Sequence, residues 1–279
     1  SVRPNTYKQY IQIVNQHIHP YLGNLKLKDI RPDHIQNLYN KKIELGTGLR
    51  TVRLIHAVLR HALNQALKTG LMVRNPADAV IVPRLVRKEM KTLNDTQVRN
   101  MLLVSKGTRL ETLLLVAVTT GLRMGEILGL KWDDLDINSR TIQIRRQIQR
   151  QKDKGLVECE PKSKSSRRIV ILGSSTIDKL KTHFIEQQSQ RHLVGDRWIE
   201  NGLIFPNTFG KPLEQSRVHK EFKAILSQAG LPIIRFHDLR HSAATLMFQM
   251  GINPKVVKEM LGHSDINLTL NTYTHSLQS

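Results

Sequence analysis

Apolar residues recur at every third or fourth position along residues 49–69, and this spacing constrains the fold more than any other feature of the chain. It predicts a long amphipathic helix with one buried face, ended by Gly70. The predicted apolar face consists of Val52, Ile55, Val58, Leu59, Ala62, Leu63 and Ala66.

Two segments upstream show the same spacing. In the first, Asn5 is the expected helix cap, and Pro20 and Gly23 are expected to end the helix. In the second, Asp33 follows Pro32 and is the expected cap. Residues 1–82 are therefore predicted to form a small helical module. Its further positions with helical spacing are Tyr7, Tyr10, Ile11 and Val14 in the first helix, and Ile35, Leu38, Tyr39 and Lys42 in the second.

The segment 83–91 is charged and lacks periodicity, which predicts a linker to a second domain over residues 92–279. In that domain Asn94 and Gln97 have the spacing of a capping box. An apolar helix follows and is expected to end at Gly121.

The period changes within residues 141–172, and the pattern after them is helical again. Alternation and β-branched residues there are typical of strands. The predicted fold class is therefore mainly α with a small antiparallel β-sheet. The three predicted strands are residues 141–144, 156–159 and 168–172.

The charge balance indicates an anionic partner. The chain has 43 Lys and Arg against 23 Asp and Glu, a net charge of +20. Nucleic acid is the usual partner of so basic a chain, although a surface that only maintains solubility gives the same count. The basic residues expected to contact DNA lie on the long helix and in the linker: Arg50, Arg53, Arg60, Lys88 and Lys91.

The single cysteine, Cys159, excludes an intrachain disulfide and is predicted to be a half-buried strand residue. No apolar run approaches the ~20 residues that span a bilayer. We therefore expect a cytoplasmic, nucleoid-associated protein without membrane contact. Because the first residue is Ser1 rather than methionine, we also expect further sequence upstream.

The first motif with chemical potential surrounds Arg123. Gly121 allows one helix to end and another to begin, which places Arg123 at the new N-terminus. An arginine at a helix N-terminus suits a phosphate, and Glu126, three residues on, can fix its rotamer. A solvent-exposed Arg–Glu pair is the alternative.

The second motif is a helical segment in which His237, Arg240 and His241 share one side. An imidazole beside a guanidinium can bind a phosphate and transfer protons. The spacing of the two histidines also resembles that of zinc proteases, but Asp238 stands where those enzymes have glutamate, and Arg240 would repel a cation.

The third motif begins with Asn253 and Pro254, a cap and first helical residue, after which Val256, Val257 and Met260 are expected to face the core. Gly262 is expected to end that helix. His263 follows at the break, and Tyr273 lies ten residues further on.

Together these groups suit attack on a phosphodiester. Two arginines neutralise the phosphorane, lysine or histidine protonates the leaving oxygen, and tyrosine is the nucleophile. No metal or other cofactor is required, because the arginines supply the electrostatics.

The motifs occur in one order along the chain, and in that order they closely resemble the tyrosine recombinase (phage integrase) family, in the style of integrases from Gram-positive phages and conjugative transposons. The resemblance implies a two-domain architecture, with a helical core-binding domain over residues 1–82 and a mixed α/β catalytic domain over 92–279. The motifs are Thr-Gly-Leu-Arg123-x-x-Glu126-Ile-Leu-x-Leu, Pro-Lys162-Ser-Lys-Ser-Ser-Arg-Arg, His237-x-Leu-Arg240-His-Ser-x-Ala-Thr, Leu-Gly-His263 and Thr-Tyr273-Thr-His.

The resemblance also implies the roles of individual residues. Arg123 and Arg240 bind the scissile phosphate, and Tyr273 attacks it to form a 3′-phosphotyrosine. The implied function is integration or excision of a mobile element through a Holliday junction, without metal or ATP.

Supporting roles follow from the same likeness. His237 acts as acid or base and phosphate contact, His263 supports the phosphate, and Glu126 is a structural partner. The general acid is a hairpin lysine: Lys162 matches best, and Lys164 is the alternative because both point to one face of a strand.

The family further implies the partners. These are double-stranded DNA attachment sites, bound by a dimer per site and a tetramer during strand exchange, with an accessory DNA-bending or excision factor. An arm-binding domain is expected upstream of Ser1.

Other functions remain open at this point. A DNA-binding protein on the same fold that no longer cleaves is the main alternative. A type IB topoisomerase or telomere resolvase would share the chemistry, and a zinc hydrolase would need the two histidines as ligands.

Overall fold

The computed structural model describes residues 4–85, 91–151, 153–161 and 167–262, with no side-chain description for residues 4 and 5. The chain divides between residues 89 and 90 into two compact units. Among the described residues, no helix has the length and apolarity that crossing a membrane requires.

The first unit is entirely helical in its described part. Short 3-10 turns at Leu27–Asp29 and Pro76–Ala79 complete it. The apolar faces of its two longest helices meet in one core. The helical elements are α1 (Pro4–Ile13), a π-helical turn (Val14–Ile18), α2 (His19–Leu22), α3 (Pro32–Glu44) and α4 (Leu49–Lys68).

Helix α4 confirms the helix predicted from its spacing, and its predicted face is buried except at Ala62. In α3 the four predicted positions are the four buried ones, including the charged Lys42. The cap of α3 is Arg31 rather than Asp33, whose carboxylate instead accepts hydrogen bonds from the Arg31 guanidinium at 3.1 and 2.9 Å. Pro32 therefore takes the first helical position, where its missing N–H breaks no hydrogen bond.

The prediction for the first helix was wrong in both its ends and its face. The helix begins at Pro4, so Asn5 lies within it, and helical structure continues past Pro20. Pro20 is the second residue of α2, which directly follows the π-helical turn, and the last hydrogen bond of that turn runs from the His19 N–H to the Val14 carbonyl. The preceding π-helical turn also changes the side-chain period. Tyr7, Ile11 and Val14 are consequently exposed, and the buried residues are Ile13, Ile18 and Leu22.

The second unit places its helices around an apolar core that includes five of the ten residues of α6. The capping box is confirmed: the backbone N–H groups of Asn94 and Gln97 each donate to the side chain of the other residue, at 3.0 and 2.9 Å. The helices are α5 (Asp95–Val104), α6 (Glu111–Thr120), α7 (Met124–Leu128), α8 (Ser174–Val194), α9 (Gln215–Gln228), α10 (Asp238–Gln249) and α11 (Pro254–Leu261).

The β-structure is antiparallel, as predicted, but the described strands form two sheets. One sheet has the order β1-β2-β5, and the other pairs β3 with β4 so that Gln147 lies opposite Cys159. Cys159 is half-buried, as expected. The strands are β1 (Leu135–Asp136), β2 (Thr141–Ile144), β3 (Gln147–Gln151), β4 (Gly155–Cys159) and β5 (Arg168–Ile171).

Strand β3 was missed because its sequence, Gln-Ile-Gln-Arg-Gln, is too polar for the usual strand signal. The pattern after β5 was also not wholly helical. Residues 198–214 contain no α-helix. They take part in two isolated β-bridges, one between Lys131 and Leu203 and one between Pro206 and Pro212.

Candidate active site

The first site element is the turn that leads into α7. Gly121 ends α6 in a left-handed conformation (φ 63°), and Arg123 caps α7. The Glu126 carboxylate accepts hydrogen bonds from the Arg123 backbone N–H at 3.1 Å and from its Nη1 at 2.8 Å. The Glu126 side chain is 2% exposed and that of Arg123 is 35% exposed. The pair is therefore not the solvent-exposed pair of the alternative interpretation, and only its arginine is accessible to a ligand.

A second arginine, Arg168 at the start of β5, contacts the same carboxylate. Its Nη2 lies 3.0 Å from Oε2 of Glu126, and its side chain is 7% exposed. The sequence patterns indicated no role for Arg168, although it lies within the lysine motif. The signal available was its spacing from Val170: residues two apart on a strand share a face, and Val170 is fully buried.

Glu126 is charged although it is buried. Burial alone would raise the pKa of Glu126, but the charges and hydrogen bonds of Arg168 and Arg123 outweigh it and hold the pKa below its ordinary value. The three groups thus form a buried ion cluster with one negative and two positive charges.

Arg240 joins this turn to the end of another helix. It lies in α10 and is 2% exposed. Its Nη1 donates to the carbonyl oxygen of Gly121 at 2.9 Å, and its Nη2 donates to that of Leu261 at 2.5 Å. Both carbonyls lie at helix ends and have no intrahelical partner. One planar guanidinium therefore provides hydrogen bonds to the ends of both α6 and α11.

The histidines of α10 lie beside these arginines. His237 caps α10, and its ring centroid is 5.5 Å from that of His241, one turn on. His237 is exposed, but partial desolvation by the surrounding protein, and then the charges of Arg240 and Arg123, lower its pKa. His237 therefore lies within the electrostatic reach of both arginines, and near neutral pH its imidazole is unprotonated and able to accept a proton.

Asp238, which the zinc alternative would use as a base, is engaged elsewhere. Its carboxylate accepts hydrogen bonds from the backbone N–H of Arg235 at 2.8 Å and from its Nη2 at 2.6 Å. The carboxylate is therefore paired with Arg235 and is not a free base.

Helix α11 begins and ends where it was predicted to. Its cap is Asn253, whose side chain accepts from the Lys255 N–H at 2.8 Å, and Gly262 ends the helix in a left-handed conformation. Val257 is buried as expected, whereas Val256 is exposed because the helix turns only one face to α10.

Several predicted site residues lie outside the described residues, and their roles stay predictions. They are Lys88, Lys162, Lys164, His263 and Tyr273.

The predicted DNA-contacting residues that are described are all exposed: Arg50, Arg53 and Arg60 on α4, and Lys91 in the second unit. Two of the arginines also have protein partners. Arg60 pairs with Asp78 at 2.6 Å, and Arg53 Nη1 donates to the Pro83 carbonyl at 3.2 Å.

Comparison with known families identifies the chain. The model of the phage integrase family matches residues 83–279, and that of the phage integrase N-terminal SAM-like domain matches residues 1–43. The chain belongs to the phage integrase family. This confirms the resemblance drawn from the motifs. It also confirms the predicted activity class, which is cleavage and rejoining of DNA.

Individual relatives agree with this membership. A tyrosine recombinase XerC-like protein of Caldanaerobacter subterraneus is 33% identical over 297 residues, which cover 99% of this chain and 75% of the relative. The Tn1549 transposon integrase, solved in complex with a circular intermediate DNA, superposes with a TM-score of 0.85 at 21% identity, covering 98% of this chain and 90% of that one. A lambda integrase tetramer bound to a Holliday junction gives a TM-score of 0.70 at 20% identity, covering 98% and 72%. The two solved structures confirm the predicted fold class.

The buried histidine of the site gives a prediction for stability. Burial and the neighbouring His237 lower the pKa of His241 from 6.5 to about 4. Between these values the unfolded chain binds a proton that the folded chain does not, so stability falls as the pH is lowered from about 6.5 towards 4. Relative to His241→Asn, the wild type should lose about 2 kcal/mol of unfolding free energy between pH 7.5 and pH 5.

Urea unfolding of both proteins at the two pH values measures this difference. The exposed His192 of α8 provides the control, as His192→Asn removes an imidazole from the surface. A gap between wild type and His241→Asn that is the same at both pH values would contradict the prediction.

Proposed function

We propose that this member of the family is a site-specific recombinase that integrates or excises a mobile element, using Tyr273 as nucleophile. The observation that carries the assignment is the hydrogen bond from Arg240 Nη1 to the Gly121 carbonyl at 2.9 Å. It joins Arg240 to the turn that presents Arg123, and His237 lies one helical turn before Arg240. Two cations and one proton acceptor at one place suit the transfer of a phosphodiester group from one oxygen to another.

The proposed reaction assigns one task to each group. Oη of Tyr273 attacks the scissile phosphorus while His237 accepts or shares its proton. Arg123 and Arg240 stabilise the added negative charge, and His263 supports them. The P–O5′ bond breaks, a 3′-phosphotyrosine bond forms, and Lys162, or alternatively Lys164, donates the proton to the departing 5′-oxygen. The new bond preserves the energy of the phosphodiester, so rejoining is the reverse attack by a 5′-hydroxyl and needs no ATP.

The proposed partner is double-stranded DNA carrying an attachment site, held by a dimer per site and a tetramer during exchange. The lambda integrase tetramer on a Holliday junction supports this assembly. We assign residues 1–82 to core DNA binding, 83–91 to the linker and 92–279 to catalysis. The residues proposed to contact DNA are Arg50, Arg53, Arg60, Lys88 and Lys91. A cytoplasmic, nucleoid-associated location and an accessory DNA-bending or excision factor complete the proposal.

Covalent trapping tests the proposed chemistry. The wild type is incubated in EDTA with a nicked duplex that carries an attachment core, and the denatured products are separated on a gel. We expect a protein–DNA adduct with the wild type and none with Tyr273→Phe, because the phenol oxygen is the attacking atom.

Peptide mapping of the adduct should locate the DNA on the peptide that contains Tyr273. Tight binding without an adduct on any attachment core would instead support the non-cleaving DNA-binding protein. An adduct on another residue would overturn the assignment of the nucleophile.

A further inference from the structure

The buried ion cluster around Glu126 contains an arginine that the proposed reaction does not use. We propose that Arg168 is a positioning residue for DNA cleavage: it neutralises Glu126 so that Arg123 keeps a net positive charge for the scissile phosphate. This inference rests on the proposed function, in which Arg123 binds that phosphate.

The exposures separate the roles of the two arginines. The Arg168 side chain is 7% exposed, whereas that of Arg123 is 35% exposed, and they flank a carboxylate that is 2% exposed. Arg168 is thus placed to act on Glu126 rather than on DNA. Arg123 can meet a ligand on its accessible side while Glu126 fixes its other side at 2.8 Å.

The formal charges of the cluster show why Arg168 matters for binding a phosphate. Glu126 and Arg123 alone sum to zero, so a phosphate approaching them would meet a neutral pair. Arg168, at 3.0 Å from Glu126, raises the sum of the cluster to one positive charge. Charges interact strongly in a buried environment, so removing one member of such a cluster has a large effect on the others.

Arg168 also fixes the position of the cluster relative to α11. Its Nε donates to the carbonyl oxygen of Met260 at 2.6 Å, and Arg240 binds the next carbonyl, that of Leu261, at 2.5 Å. The last carbonyls of a helix carry partial negative charge and have no intrahelical partner. The two arginines therefore hold the last turn of α11 against the groups that surround Arg123. In sequence, α11 directly precedes the segment that contains His263 and Tyr273.

Single-turnover cleavage of the nicked duplex at saturating protein tests the proposal. We expect Arg168→Gln to slow adduct formation about 10- to 100-fold while the Kd for DNA changes less than about threefold, since the loss falls on the transition state. The matched control is Arg167→Gln: Arg167 is the adjacent residue, is exposed and pairs with the exposed Glu160. Its rate should stay within about threefold of wild type.

A double variant separates charge neutralisation from a merely structural role. In Glu126→Gln/Arg168→Gln no buried carboxylate remains to neutralise Arg123, so cleavage should be at least about tenfold faster than in Arg168→Gln alone. Lower pH should also raise the cleavage rate of Arg168→Gln, because protonation of Glu126 removes the buried negative charge that neutralises Arg123. The rate of Arg168→Gln relative to wild type should therefore rise as the pH is lowered. A double variant no faster than Arg168→Gln would overturn the proposal.

Arg168→Lys keeps the charge and provides a test that does not depend on the double variant being folded. It should cleave faster than Arg168→Gln, and equal losses in the two would show that charge is not the relevant property. If the wild type forms no adduct, the proposed function fails. If the wild type forms one and Arg168→Gln forms it at the same rate, only the role of Arg168 fails.

Discussion

Arg240→Lys should slow covalent cleavage of an attachment core about 1000-fold while the charge at the position is retained. A lysine ammonium is a point donor on a flexible stem, whereas the guanidinium of Arg240 holds the carbonyls of Gly121 and Leu261 in one plane. The lysine cannot bind both carbonyls and also present a fixed donor to a phosphate. The loss should therefore appear in the single-turnover rate more than in the Kd for DNA.

The control for this variant is Arg235→Lys. Arg235 lies five residues earlier, and its side chain is exposed and pairs with Asp238 within the same turn. Its substitution by lysine should change the cleavage rate less than about threefold. A cleavage rate of Arg240→Lys close to that of wild type would show that charge alone suffices and would remove the geometric role assigned to Arg240.

Gly121→Ala should destabilise the second unit by about 3 kcal/mol, from two separable causes. The residue has a φ of 63°, which costs a residue with a side chain about 1 kcal/mol. A Cβ at this position would also overlap Cδ2 of Leu261, a fully buried side chain. Relieving such overpacking in a core costs about 1 to 3 kcal/mol more. Denaturant unfolding of wild type and variant measures the sum.

Gly107→Ala separates the two causes. Gly107 has a φ of 72°, but nothing lies within 4 Å of the Cβ that alanine would add. It should therefore lose only the conformational term, about 1 kcal/mol. Equal losses in the two variants would mean that Leu261 moves aside without cost. Cleavage should fall in Gly121→Ala alone, because the carbonyl that Arg240 binds belongs to the displaced residue.

Local structure was predictable at several places where a few neighbouring residues decide it. The buried face of α3, the capping box of Asn94 and Gln97, and the helix ends at Gly121 and Gly262 all follow from short-range spacing and backbone preference. The order of the motifs likewise identified the family. These features depend on residues within about one or two helical turns, so the linear sequence contains them.

The face of α1 and the strand β3 were not predictable for the opposite reason. Tyr7 and Ile11 have helical spacing, yet the π-helical turn and the packing on α4 bury Ile13 and Ile18 instead. Strand β3 is polar, and its pairing with β4 compensates for its weak strand preference. Residues distant in sequence decide both which face of α1 is buried and whether β3 forms a strand.

The sequence by itself determined the family and the long helix α4, and it predicts which groups handle a phosphate. Only the tertiary structure decided that Glu126 is buried, that Arg168 shares it with Arg123, and that Arg240 binds two helix ends. These contacts join residues 42, 119 and 21 positions apart. A spacing rule reaches only a few residues along the chain, whereas the charge state of a buried carboxylate depends on every group packed around it.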